Sequence, residues 1–192
     1  MRKKLLFLFV MLFYSKAVWA HPHVFVDSSV NVIFDGDNIT SIEQTWSFDE
    51  MFSMSIIDEF DADQDKVFSP DETEKLKSGA FENLRNYNFF NNIFFDKKKI
   101  ENLEYSDFSA KINGENLIYT FKVNLKEPIT PKTSKVSIGI YDTEFFVDVI
   151  YVEKNPVTIT GNEACNYKID EDGDNPIFMG TLKPKTIYLE CQ

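Results

Sequence analysis

From Val24 to Phe34 the chain alternates with a period of two. Val24, Val26, Val30, Val32 and Phe34 share one face of an extended segment, and His23, Phe25, Asp27, Ser29 and Asn31 share the other. That pattern commits the segment to a sheet with one buried face. The turn signal "DGDN" follows, and alternation resumes with Ile42, Gln44, Trp46 and Phe48 on a common face. A loop made of Asp35, Gly36 and Asp37 sets Val24 against Phe48, Val26 against Trp46 and Val30 against Ile42, which joins the two apolar faces. The same register sets His23 opposite Asp49.

The period then changes. "DEMFSMSIIDEF" carries Phe52, Ile56 and Phe60 at helical spacing, and "PDETEKLKSGAFENLRNY" carries Leu76, Ala80, Leu84 and Tyr87 on a second helical stripe. Afterwards short strand-like runs return between turn clusters: "NNIFF", "FSAKI", "LIYTFKVNL", "KVSIGIY", "FFVDVIYV", "VTIT", "NYKI" and "TIYLE". No repeat or interdomain linker interrupts them. The expected fold is α+β: a single mostly antiparallel, sandwich-like sheet domain over residues 21–192, with a helix–loop–helix inserted after the first hairpin at residues 49–87. The 19 phenylalanines lie mainly in strands and helix faces and are read as core.

Between the helical stripes lies "DADQDKVFSPDE". Its spacing matches a twelve-residue EF-hand loop, with Asp61, Asp63 and Asp65 at positions 1, 3 and 5, the Val67 carbonyl at 7, Ser69 at 9 and Glu72 at 12. Phe68 supplies the apolar residue at position 8. Such a set of hard oxygens suits Ca2+. Position 6 is Lys66 where glycine is usual, and a left-handed backbone there costs a non-glycine residue about 1–2 kcal/mol. Ser69, Pro70 and Glu72 also fit the N-cap, N1 and N3 positions of a capping box, a reading compatible with the first because the exiting helix starts there.

Residues 1–20 read as a secretory signal: Arg2, Lys3 and Lys4, then the apolar "LLFLFVMLFY", then "SKAVWA" ending in a small residue. Cleavage after Ala20 fits better than cleavage after Ala17. It leaves His21 as the mature N-terminus of a periplasmic or secreted protein, with no cysteine nearby to take a lipid anchor. The formal charge of −11 becomes −15 once Arg2, Lys3, Lys4 and Lys16 are removed, a balance that disfavours nucleic acid and favours cations. In an exported chain Cys165 and Cys191 are expected to form a disulfide, worth about 3–4 kcal/mol on the chain-entropy view.

His21 and His23 are the two histidines of the chain. A free N-terminal histidine offers its amine and imidazole, and His23 projects to the same side of an extended strand. Cu2+, Zn2+ and Ni2+/Co2+ accept such nitrogen sets, completed by a carboxylate such as Asp27 or Asp49. Pro22 has no amide proton, so the square-planar site that ionises the second backbone amide is excluded. A redox brace needs a distant second histidine, which the chain lacks. Nothing matches a serine-nucleophile motif, a phosphate loop or a nucleotide fingerprint, so an enzyme is not expected.

"HPHVFVD" after a signal, "WSFDEMFS", "DEFDADQDKVFSPDE" and "YDTEFF" together resemble the bacterial domain-of-unknown-function family 1007, across essentially the whole mature chain. The resemblance implies an exported protein, often labelled a periplasmic component of an ABC-type transport system and often found beside nickel/cobalt-type membrane exporters. It places His21, His23, Asp27, Trp46, Asp49, Glu50, Tyr141 and Asp142 at signature positions. A transport-type binding protein has two α/β lobes around a cleft, for which neither length nor strand pattern leaves room. The functional expectation is therefore an accessory protein that binds a divalent transition metal at its N-terminus for a membrane metal transporter, with calcium bracing the loop. The competing expectation is an extracytoplasmic interaction module whose only ion is calcium.

Overall fold

The computed structural model describes residues 22–101 and 103–192. The leader read over residues 1–20, and His21 with it, lie outside the described residues. In chain order the elements are β1 (Val24–Asp35), β2 (Asn38–Phe48), α1 (Glu50–Phe60), α2 (Pro70–Gly79), a run of 3-10 turns (Phe81–Phe90), β3 (Asn91–Phe95), β4 (Lys98–Lys99), β5 (Glu104–Asn113) and β6 (Asn116–Ile129). A short 3-10 turn (Pro131–Thr133) leads to β7 (Val136–Ile140), β8 (Val147–Tyr151), β9 (Val157–Thr160), β10 (Cys165–Glu171) and β11 (Lys185–Cys191). Each strand-like run read from the sequence lies on one of these strands. No described helix is long and apolar enough to cross a membrane.

The first hairpin forms with its faces as expected and its register displaced. Val26 faces Phe48, Ser28 faces Trp46 and Val32 faces Ile42. Two changes produce this. The turn is one residue shorter than expected, with Asp35 paired to Asn38 around Gly36, whose φ of +59° suits a two-residue hairpin turn. An irregularity beside Thr40 then adds one residue to β2. Each change alone would turn the strand over, but together they shift it by two and keep every apolar residue inside. His23 therefore does not face Asp49; Phe25 does, through the Asp49 amide donating to the Phe25 carbonyl at 3.0 Å.

One sheet has six strands in the order β5-β6-β2-β1-β8, with β9 also paired to β1; the other runs β10-β11-β7-β3-β4. The pairs β1·β8 and β1·β9 are parallel and the remaining ones antiparallel. Long β1 thus carries β8 along Val24–Ser28 and β9 along Val30–Ile33. The inner faces of both sheets contribute to one core that includes Val26, Val30, Trp46, Phe121, Ile93, Ile138 and Ile187. The Cys165–Cys191 disulfide joins directly opposed residues of β10 and β11.

The second helical stripe is shorter than its periodicity suggests. α2 stops at Gly79, and tighter turns carry Phe81 into the core at 0% exposure while Tyr87 is left 59% exposed. Gly79 ends α2 beneath the Phe60 ring, 3.1 Å from where a Cβ would sit, so the break also lets α1 and α2 approach.

Candidate functional site

α1 ends where the Asp61 amide donates to the Ile57 carbonyl at 2.9 Å, and the chain then curls through a chain of carboxylate–amide bonds. Asp61 Oδ2 accepts from the Lys66 amide at 3.0 Å, Asp63 Oδ1 from the Asp65 amide at 3.3 Å and Asp65 Oδ1 from the Val67 amide at 2.7 Å. Gln64 and Lys66 adopt left-handed backbones, with φ of 60° and 65°. Val67 is exposed, whereas Phe68 next to it is buried in the core and pins the loop's exit. Glu72 fastens the two ends together. Its Oε1 accepts from the Ala62 amide at 2.7 Å, and its Oε2 from the Ser69 amide and hydroxyl at 2.9 and 2.8 Å. Ser69 Oγ accepts from the Glu72 amide in return, completing the capping box that starts α2. The Ser69 amide and hydroxyl, with the Ala62 amide, hold the Glu72 carboxyl below its ordinary range.

Carboxylate oxygens of Asp61, Asp63 and Asp65 lie within 4.8 Å of one another, and no other His, Cys, Asp or Glu trio among the described residues is so placed. Asp61 is only 3% exposed, and its Oδ1 has no hydrogen-bond partner there. An orphaned carboxylate oxygen beside two further carboxylates is unfavourable by desolvation and by like-charge repulsion, and a cation relieves both.

The histidine-bearing end is built differently. His23 is exposed; its amide donates to the Phe146 carbonyl at 2.9 Å, and its ring stacks 6.2 Å from that of Phe146. Phe146 is placed by Asp142, a buried residue whose Oδ1 accepts from the Glu144 amide at 3.0 Å and whose Oδ2 accepts from the Phe146 and Val147 amides at 2.8 and 3.2 Å. Tyr141, just before it, donates its amide to the Phe90 carbonyl at 2.9 Å, and burial pushes its hydroxyl up to about 12. Asp27 is exposed on the same face of β1 as His23, between Ser47 and Ile150. Asp49 caps α1 through Oδ1, which accepts from the Phe52 amide at 3.0 Å, and its Oδ2 accepts from the Phe25 amide at 2.8 Å. His23, Asp27 and Asp49 are not gathered as the three aspartates are, and Glu50 is an exposed first-turn residue of α1.

Several polar residues that organise the molecule carried no motif. Gln44 interrupts the inner face of β2: its Oε1 accepts from Trp46 Nε1 at 2.9 Å and its Nε2 donates to Asn91 Oδ1 at 2.6 Å. Asn91 Nδ2 donates to the Phe89 carbonyl, so this chain of bonds crosses the sandwich from β2 to β3. Ser53 Oγ donates to the Phe48 carbonyl and accepts from the Leu117 amide, locking α1 to the end of β6. The signal for Gln44 was legible in principle, as one amide on an otherwise apolar strand face; Asn91 and Ser53 gain their partners only in the fold.

The sequence matches, over residues 6–177, the family described as "Protein of unknown function (DUF1007)". The chain belongs to the DUF1007 family. A Haemophilus influenzae relative described as "Uncharacterized protein" is 26% identical over 165 residues, 83% of this chain and 77% of that one. A Spirochaeta aurantia relative, "Uncharacterized 15.5 kDa protein in trpE 3'region", is 30% identical over 92 residues, 48% of this chain and 65% of its own length. In this DUF1007 protein Trp46, Asp49, Tyr141 and Asp142 each hold backbone or neighbouring side chains in place, and Asp61, Asp63 and Asp65 are the acidic trio gathered closely enough among the described residues to share an ion.

Proposed function

We propose that this DUF1007 protein is a non-enzymatic calcium-binding module that works outside the cytoplasm. One observation carries the reading: the buried, unpartnered Asp61 Oδ1 beside the Asp63 and Asp65 carboxylates. The surrounding loop supports it. Lys66 takes the left-handed backbone required at position 6 of an EF-hand loop, and its amide bonds to position 1. Asp61, Asp63 and Asp65, with the Val67 carbonyl and Ser69, would hold the ion, which neutralises the cluster and fastens α1 to α2; Glu72 joins them only by giving up the Ala62 and Ser69 groups that now occupy both its oxygens. The signal-like leader and the Cys165–Cys191 bond support a periplasmic or secreted location. Calorimetry on the mature chain is expected to give one Ca2+ site in the range of about 10⁻⁴ to 10⁻³ M, as in extracellular modules, and none in an Asp63→Asn, Asp65→Asn variant. Absence of both binding heat and thermal stabilisation at millimolar calcium would end the reading.

A second reading has its own support, the exposure of His23 and Asp27 on one face of β1 with the His23 backbone pinned to Phe146. There the amine and imidazole of His21, with His23 and Asp27, take Cu2+, Zn2+, Ni2+ or Co2+ on behalf of a nickel/cobalt-type or other membrane metal transporter. Asp49 has both carboxylate oxygens engaged by amides, which leaves Asp27 as the better-placed carboxylate. Metal titration of the mature chain against a His23→Ala variant tests it; equal binding by the two removes it.

A further inference from the structure

Each methionine among the described residues lies on the surface: Met51, Met54 and Met179 are 78%, 57% and 92% exposed. Methionine is more often a core residue, and where it is displayed it makes an adaptable contact surface for peptides. Met51 and Met54 are one turn apart on α1, whose other side carries Ser53 and Ile56 into the interior. Acidic residues flank them. Glu50 and Asp58 stand four residues before and four residues after Met54, along the same side of the helix.

Facing that side is the tip of the β5–β6 hairpin. A groove of about 210 Å3 runs between the two, lined on α1 by Glu50, Met54, Ile57 and Asp58 and on the hairpin by Ile112 and Glu115. Met54, Ile57 and Ile112 give it an apolar strip, and the exposed Glu50, Asp58 and Glu115 give it a negative rim. None of the three carboxylates enters an ion pair among the described residues. Lys66, the one basic residue of the lining, enters none either. Three negative charges against one leave the groove suited to a cationic occupant.

Spacing narrows the choice further. A helix rises 1.5 Å per residue, which sets Glu50 and Asp58 about 12 Å apart along α1 with Met54 midway. An extended peptide covers about 13 Å in four residues and turns every second side chain to the same side. Basic residues at the first and fifth positions therefore reach the two carboxylates together, while an apolar residue at the third meets Met54, Ile57 and Ile112.

We infer that the groove between α1 and the β5–β6 hairpin binds an extended segment of another protein with the pattern basic–x–apolar–x–basic. Charge complementarity and the match of the two spacings argue for this occupant. A second copy does not supply it: the pair of basic residues at that spacing in this chain, Lys122 and Lys126, has Asn124 between them and is fixed within β6. The inference uses none of the carboxylates gathered in the acidic loop, so a failed calcium titration leaves it standing.

The test uses two end-blocked synthetic peptides of one composition, lysine–serine–leucine–serine–lysine and serine–lysine–leucine–lysine–serine, titrated into the mature chain in calcium-free buffer. The first is expected to shift the methyl NMR signals of Met54, Ile57 and Ile112, to bind about fivefold more tightly than the second and to weaken as salt rises. Glu50→Gln with Asp58→Asn, both at exposed positions, should weaken it about fivefold. Lys66→Asn removes the competing cation with a residue that accepts the left-handed backbone at φ 65°, and should strengthen binding. No shift at millimolar peptide, equal binding of the two peptides, or equal binding by the double variant and wild type overturns the inference. So does a concentration-dependent shift of the same methyls without peptide, since the groove would then be taken by a second copy.

Discussion

The acidic loop and the β1/β8 end of the sandwich present opposite kinds of site. Within residues 61–72 the side-chain hydrogen bonds are local: carboxylates at alternate positions take amides two to five residues on, and Glu72 closes the loop on Ala62. At the other end His23 depends on Phe146, which depends on Asp142, so the surface is assembled from segments more than a hundred residues apart. The first is held by hydrogen bonds within its own short stretch of sequence. The second exists only once the whole sheet has formed.

The largest effect that would test this contrast is expected at Asp142. Replacing it by alanine removes a buried carboxylate that accepts from three part-buried amides and should cost about 3 kcal/mol in chemical denaturation. Hydrogen exchange should show the His23 and Val24 amides losing protection while residues 61–72 keep theirs; uniform loss would erase the distinction. Calcium comes next. At ten times its Kd the ion should add about 1.4 kcal/mol, and the exchange slowed by it should be confined to α1, the loop and α2. If β8 responds equally, the two regions are coupled.

A smaller gain is expected at Lys66. Glycine at its φ of 65° should raise stability by about 1 kcal/mol and tighten calcium binding, read by thermal shift with and without the ion. The smallest effect is a pH dependence. Glu72 has its carboxyl lowered in the folded chain, so its contribution is complete above the ordinary value of 4.5 and fades as pH falls through the lower folded value. Glu72→Gln should flatten that part of the acid-unfolding profile and leave the neutral-pH slope unchanged.

The same contrast explains what could be read without coordinates. Alternation in β1 and β2 gave the correct faces because the period is a property of the strand itself, and the Ser69, Pro70 and Glu72 capping pattern gave the start of α2. The hairpin register escaped because a shorter turn and one extra residue near Thr40 displaced it by two, a change invisible to a period of two. Parallel pairing of β1 with β8 and β9 escaped for another reason: nothing in VDVIY or VTIT names a partner so distant in the chain. Asp49 showed its identity and hid its job, since its role as helix cap and as acceptor for Phe25 depends on that register.

β1 also has a consequence for how the molecule is made. Among the described strands it is the earliest in the chain, yet one whole flank waits for residues 147–160, and β2 is its nearest partner in sequence meanwhile. The nascent hairpin must therefore endure with Val26, Val30 and Val32 uncovered until the late strands arrive, an interval in which a holdase would find its client.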